Sequence, residues 1–205
     1  MKIGVLGGTF NPIHIGHLIL ADEIREAAVL DRVLFIPAYF PPHKKASDVV
    51  SGEHRLRMVE LAIAGNPFFE ASDIELRRKG VSYTIETITG LRRERPDGEF
   101  YFIIGADTVP ELATWHKIGE LAGLCKFLVG SRPGCRLRWE PLQEVLPKAG
   151  VNELRGGVIP TTPVGVSSSM IRSRIRDGRT VRYLVPRGIE KYIAEHSLYR
   201  EATAT

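Results

Sequence analysis

The chain has 205 residues, of which 43% are hydrophobic and 25% charged. That is the balance of a globular protein, long enough to bury a core and too apolar for an intrinsically disordered one. The formal charge is +4, from 28 basic and 24 acidic residues. So mild an excess does not define a nucleic-acid binder. The basic stretch from Arg172 to Arg187 permits one, but a small phosphate-rich ligand accounts for the charge better. The two cysteines, Cys125 and Cys135, form no CxxC pair and join no metal-ligand cluster, which suits a reducing compartment. Neither a signal peptide nor an apolar run near the roughly 18 residues of a membrane span is visible, so a cytoplasmic protein without a membrane partner is expected.

In chain order, Ile3 to Leu6 is a short apolar run closed by Gly7-Gly8, which predicts a buried strand. His17 to Val29 carries apolar residues at helical spacing. Val33 to Ile36 is a second buried strand, stopped by Pro37. Tyr39 to Val50 reads as a loop rich in proline and lysine. Ser51 is placed to cap a helix running to about Ala64, with Glu53 in its first turn. Phe68 to Glu75 looks extended, Tyr83 to Arg95 helical, and Phe100 to Ile104 is another buried strand. Thr108-Val109-Pro110-Glu111 matches a capping box with proline in the first turn, so a helix is expected to begin there. Cys125 to Val129 reads as a strand, Gly134 to Gly157 gives no clear pattern, and Val158 to Pro160 is a candidate last strand. Helices are expected over Ser167 to Arg176 and Pro186 to His196. Disorder is expected only in the last few residues, 201 to 205.

Strands alternating with helices imply an α/β fold with a doubly wound, Rossmann-like parallel sheet. One domain over residues 1–205 is expected, with a small helical part over about 167–199 at its C-terminal end. Ligands in such sheets bind at the carboxyl ends of the strands. The residues of chemical interest follow strand ends: Gly7 to His17, Pro37 to Lys44 and Gly105 to Asp107.

The first of these loops carries the strongest signal. Gly7 and Gly8 let the backbone approach a ligand closely. The helix that follows offers unpaired N–H groups and the positive end of its dipole, which suits phosphate. His14 and His17, three residues apart, fall on one helical face and can point at one phosphate. A glycine turn with two capping or surface histidines is the bland alternative. Two glycines, a threonine, a proline and two spaced histidines after a first strand argue against it. Neither the P-loop sequence nor the G-x-G-x-x-G fingerprint is present, which argues against a P-loop NTPase and a dinucleotide-binding dehydrogenase.

Gly7-Gly8-Thr9-Phe10-Asn11-Pro12-Ile13-His14-Ile15-Gly16-His17 resembles the signature of the adenylyl- and cytidylyltransferase superfamily. Its His14-Ile15-Gly16-His17 part also matches the HIGH motif of class I aminoacyl-tRNA synthetases. Further segments resemble bacterial nicotinate-nucleotide adenylyltransferases: Pro41-Pro42-His43-Lys44, Ser82-Tyr83-Thr84, Phe102-Ile103-Ile104-Gly105-Ala106-Asp107 followed by Trp115, Arg132-Pro133-Gly134, and Val166-Ser167-Ser168-Ser169-Met170-Ile171-Arg172. The matches come in family order from residue 3 to about 199. Two positions depart from the pattern. Asn11 stands where many relatives have aspartate, so no required carboxylate can be argued there. Ser169 replaces a common threonine but keeps the hydroxyl.

The resemblance implies adenylyl transfer from ATP to nicotinate mononucleotide, giving deamido-NAD and pyrophosphate in NAD biosynthesis, with Mg²⁺ carried on the ATP phosphates and no protein metal ligand named. It implies catalytic roles for His14, His17 and Arg172. ATP would meet Gly7, Gly8, Thr9, Phe10, His14, His17, Gly105, Asp107, Ser167, Ser168 and Arg172, with Asp107 either on a ribose hydroxyl or merely capping the helix after it. The mononucleotide would meet Lys44, Tyr83, Thr84, Trp115 and Arg132. His54, His116 and His196 belong to no motif and read as structural. The oligomeric state stays open, a homodimer included. Other acceptors, such as nicotinamide mononucleotide or pantetheine phosphate, and a non-catalytic nucleotide-binding module remain as alternatives.

Overall fold

The computed structural model describes residues 1–40, 49–131, 134 and 137–200. Lys44 with its Pro41-Pro42-His43 neighbours, Arg132, Cys135 and the tail 201–205 lie outside the described residues.

Six strands form one parallel sheet in the order β3-β2-β1-β4-β5-β6. They are β1 (Lys2–Gly8), β2 (Arg32–Pro37), β3 (Phe69–Ala71), β4 (Glu99–Gly105), β5 (Lys126–Ser131) and β6 (Val158–Pro160). The expected doubly wound α/β sheet is what forms. The interiors of β1, β2, β4 and β5 are continuously buried, as strands covered on both faces must be. Alternate residues feed two cores. Ile3, Val5, Phe100, Phe102 and Phe127 face one layer, and Leu6, Val33, Phe35, Tyr101, Ile103 and Leu128 face the other.

The helices are α1 (Ile15–Ala27), α2 (Gly52–Ile63), α3 (Ile74–Arg78), α4 (Thr84–Glu94), α5 (Ile118–Leu124), α6 (Glu140–Gln143), α7 (Lys148–Gly156), α8 (Ser168–Arg176) and α9 (Arg187–Glu195). Buried residues of α1, α2, α8 and α9 share the Leu6–Phe35 core. Those of α4, α5, α6 and α7 share the Ile3–Phe102 core. The C-terminal helices therefore pack on the sheet core itself, through Ile171, Ile189 and Ile193.

Several boundaries differ from the sequence expectation. Helix α1 begins two residues early, at Ile15, and stops before Val29, which takes φ +51°. Only Phe69–Ala71 of the segment expected to be extended is strand, and α3 takes over at Ile74. The capping box at Thr108 does not form. A 3-10 helix, Ala106–Thr114, starts directly after β4 with Gly105 as its flanking residue, and Thr114 rather than Thr108 bonds back, donating its hydroxyl to the Glu111 carbonyl. The unreadable stretch after Gly134 holds α6 and α7. The serine caps do form: Ser51 Oγ accepts from the His54 N–H, and Ser167 Oγ from the Met170 N–H.

The sheet opens where a ligand site belongs. β1 stays paired with β2 through Gly8–Pro37, but its pairing with β4 stops at Val5–Phe102. Beyond that pair the carboxyl ends of β1 and β4 part. This is where strand order reverses, the position at which open α/β sheets form ligand crevices.

Candidate active site

A cleft of about 750 Å³ lies at that opening, well within the range of small-molecule sites. Among the proposed site residues it is lined by Gly7, His14 and His17, by Gly105, Asp107 and Trp115, and by Ser167 and Ser168. Three segments that lie far apart in sequence thus meet in one place. Thr161, Thr162, Val164 and Ser169 complete the wall below α8, and Glu23 of α1 holds that wall by accepting from both the N–H and the hydroxyl of Thr162.

The two histidines do not share a helical face as the spacing predicts, because His14 precedes α1 in an extended conformation. Their rings nevertheless stack, with centroids 3.7 Å apart and planes at 29°. The His14 N–H donates to Nδ1 of His17 at 3.2 Å. That bond fixes Nδ1 as the acceptor, so neutral His17 carries its proton on Nε2. His14 is buried, and burial pushes its imidazole down to about 4 from the ordinary 6.5. It is therefore neutral near pH 7. Its Nδ1 finds no hydrogen-bond partner among the described residues. A buried nitrogen left without a partner is costly, while His14 as a residue lines the cleft.

Gly16 leaves room for the His14 ring. A Cβ there would lie 3.1 Å from His14 Nδ1. Gly105 has a similar part, since a Cβ would sit 2.5 Å from Oδ1 of Asp107. The carboxylate folds back over the end of β4 and lines the cleft.

The remaining ATP-site candidates shape the loop from behind. Phe10 is buried, takes φ +47°, and packs edge-on against His17 at 5.1 Å. The Gly8 carbonyl accepts from the Ala38 N–H at 2.9 Å, and the Thr9 carbonyl from Nη1 of Arg55 at 3.0 Å. Arg172, on α8, donates from Nη1 to the Asn11 carbonyl at 2.9 Å, and Ser168 Oγ donates to the Pro12 carbonyl at 2.8 Å. Helix α8 is thereby tied to the first loop at two points.

On the mononucleotide side, Trp115 is half-buried, lines the cleft and meets Phe102 edge-on at 5.6 Å. It belongs both to the edge of the core and to the cleft. Tyr83 flanks the start of α4, of which Thr84 is the first residue. The Tyr83 ring faces His116 at 4.5 Å. His54 and His196 pair instead with Tyr192, whose hydroxyl lies 2.9 Å from His54 Nδ1. Cys125 is buried and free, and burial pushes its thiol up to about 12.

Two buried side chains around the loop have no role signalled by the sequence, Asn11 and Arg55. Asn11 is 1% exposed and its Oδ1 accepts from the Val50 N–H. Arg55 is equally buried beneath the loop.

A parallel sheet opened at its strand-order reversal, with a glycine loop, two imidazoles and a serine-capped helix around the opening, defines the nucleotidyltransferase class. A family model described as cytidylyltransferase-like matches residues 5–174. The protein of Geobacillus thermodenitrificans named "Probable nicotinate-nucleotide adenylyltransferase" is 46% identical over 204 residues, covering 99% of this chain and 88% of the relative. A protein of the same name from Thermomicrobium roseum is 42% identical, covering 99% and 94%. The chain belongs to the nicotinate-nucleotide adenylyltransferase family. A Plasmodium falciparum nicotinic acid mononucleotide adenylyltransferase, solved in complex with NaAD, is similar in fold, with a TM-score of 0.76 at 18% identity and 97% of each chain covered. No helix among the described residues is long and apolar enough to cross a membrane.

Proposed function

We propose that this protein joins ATP to nicotinate mononucleotide, releasing pyrophosphate and forming nicotinate adenine dinucleotide. The observation that carries the reading is the stacked His14–His17 pair, set beside Gly7 and facing Ser167 and Ser168 across one cleft at the β1–β4 opening. The family membership supplies the acceptor.

An oxygen of the mononucleotide phosphate attacks the α-phosphorus of ATP. The bond from that phosphorus to the β-phosphate bridge breaks, and pyrophosphate leaves. The nucleophile is already an anion, so no general base is needed, and no residue is assigned as one. Catalysis then rests on positioning and on stabilising charge that moves to the leaving group. His17 donates from Nε2 to the phosphates. His14, neutral in the free protein, lines the same wall and donates its one ring N–H to a phosphate oxygen. Ser167 and Ser168, at the start of α8, hold the distal phosphates from the opposite wall; Arg172, outside the lining and bonded through Nη1 to the Asn11 carbonyl, is proposed to reach them with its remaining N–H groups. Asp107, at the end of β4, takes a ribose hydroxyl. Trp115 packs on the pyridine ring, Tyr83 and Thr84 flank it, and Lys44 and Arg132 meet the acceptor phosphate.

Mg²⁺ fits this arrangement as a companion of ATP. Among the described residues no three His, Cys, Asp or Glu side chains gather into a metal cluster, whereas Mg²⁺ is commonly held by phosphate oxygens and water. Its contribution there is to neutralise the triphosphate. We propose a cytoplasmic enzyme acting on these two small substrates.

The test is the initial rate of pyrophosphate release with ATP and each of nicotinate mononucleotide, nicotinamide mononucleotide and pantetheine phosphate. The nicotinate acceptor is expected to be turned over fastest. Faster turnover of either other acceptor would reassign the substrate. Binding of ATP without release with any acceptor would leave a non-catalytic nucleotide module.

A further inference from the structure

Arg55 stands on α2, outside the cleft lining, and is 1% exposed. Its guanidinium spends three nitrogens on three carbonyls: Nε on Val50 at 3.0 Å, Nη1 on Thr9 at 3.0 Å and Nη2 on Tyr39 at 3.4 Å. Burial is the largest influence on it and lowers its proton affinity. A guanidinium nevertheless keeps its charge in proteins. A buried cation is costly unless something compensates it. Here three carbonyl oxygens and the charge of buried Glu75 compensate it, and one of the carbonyls belongs to the glycine loop.

A trans peptide is planar, and its C=O and N–H point in opposite directions. The Thr9 carbonyl is turned toward Arg55, so the N–H of the same peptide unit, that of Phe10, is turned away from it. The preceding peptide is held in the same manner. The Gly8 carbonyl bonds Ala38, just beyond β2, so the Thr9 N–H faces the β4 side, where the sheet has opened. Phe10 takes φ +47° at this point, the left-handed step that lets successive N–H groups converge on an anion. The Phe10 N–H makes no hydrogen bond among the described residues.

We propose that Arg55 is a positioning residue for the ATP phosphates: by holding the Thr9 carbonyl from below, it turns the Phe10 N–H toward the cleft and sets a fixed positive charge behind the loop. This rests on the reading of the cleft as the ATP site. Arg55 touches no substrate itself. Its other two bonds, to Tyr39 and Val50, lock the same guanidinium in place, so the orientation of the Thr9–Phe10 peptide is set before ATP arrives.

The test compares Arg55→Lys with the unaltered protein and with His17→Ala. Lysine keeps the charge but cannot make three bonds at fixed fork geometry. The expected result is a KM for ATP raised about tenfold, with a smaller fall in kcat. A residue that merely clips the fold would lower the active fraction, and with it kcat, and leave the KM for ATP where it was. An unchanged KM for ATP therefore overturns the proposal, whatever happens to kcat. If Arg55→Lys does not fold, the amide spectrum of the unaltered protein decides. Adding a non-hydrolysable ATP analogue should move the Phe10 N–H resonance downfield, and a Phe10 resonance that stays put overturns the proposal. His17→Ala separates the two levels. Loss of turnover there with an unchanged KM in Arg55→Lys defeats only this inference. Full turnover in folded His17→Ala defeats the reading of the cleft.

Discussion

The two walls of the cleft are built on different physical plans. The wall after β1 is core: Phe10, Asn11, Ile13 and His14 are all buried, and the carbonyls of Gly8, Thr9, Asn11 and Pro12 each accept from a protein donor. The wall at the start of α8 is surface: Ser167 and Ser169 are exposed, and among the first three serines only Ser168 reaches across to the other wall. The buried wall cannot adjust without disturbing the sheet core, so it is suited to fixed dipoles that act as charge moves. The exposed wall can reorient around phosphates of variable position. The difference predicts that damage to the first wall costs far more than damage to the second.

The largest effect should come from protonating the first wall. His14 has a folded pKa of about 4 against an ordinary 6.5. As pH falls, the unfolded chain takes up this proton first. Stability contributed by neutral His14 is therefore complete above 6.5, falls between 6.5 and 4, and is gone below. The loss amounts to about 3 kcal/mol. Urea midpoints of the ligand-free protein measured across that window should fall with pH, and His14→Asn should flatten the dependence. An equal slope in both proteins would remove His14 from the account.

Next is His17→Ala, which deletes a donor from the buried wall. A loss of about a hundredfold in kcat, ~2.7 kcal/mol, is expected for a donor aimed at developing charge, measured as pyrophosphate release by protein of unchanged melting behaviour. The smallest effect is expected on the second wall. Ser168→Ala removes one hydroxyl bond to the Pro12 carbonyl and should lower stability by about 1 kcal/mol, with kcat reduced far less than by His17→Ala. Equal kinetic losses from these two variants would erase the distinction between the walls.

How much of this was legible in the sequence depends on the range of the interactions involved. The buried strands β1, β2, β4 and β5 announce themselves as apolar runs, and Ser51 and Ser167 as caps, because those signals are local. β3 and α3 were merged, since two short elements meet at Ser72-Asp73 without a glycine or proline between them. α6 and α7 were missed because the stretch interleaves Gly, Pro and charged residues, and only the facing core at Leu142, Val151 and Leu154 organises it. The capping box at Thr108 does not form because the 3-10 helix begins earlier, directly at the end of β4, where the local pattern gives no start signal.

The cleft divides the same way. Gly7, His14 and His17 are a strand end, a loop and a helix start in one continuous segment, and their joint placement follows from that order. Arg55 was invisible. An arginine in an amphipathic helix ordinarily reads as solvated, and its three acceptors at positions 9, 39 and 50 come together only in the folded chain. Asn11 was judged by the carboxylate it lacks, whereas its Oδ1 accepts a backbone N–H, which an amide and a carboxylate do equally.

The most direct test of the central claim uses nicotinate mononucleotide carrying ¹⁸O in its phosphate, unlabelled ATP and the unaltered protein. Attack by that phosphate on the α-phosphorus predicts that all label is retained in the dinucleotide and that the released pyrophosphate is unlabelled. Label in the pyrophosphate, or pyrophosphate formed without dinucleotide, would contradict adenylyl transfer by this cleft.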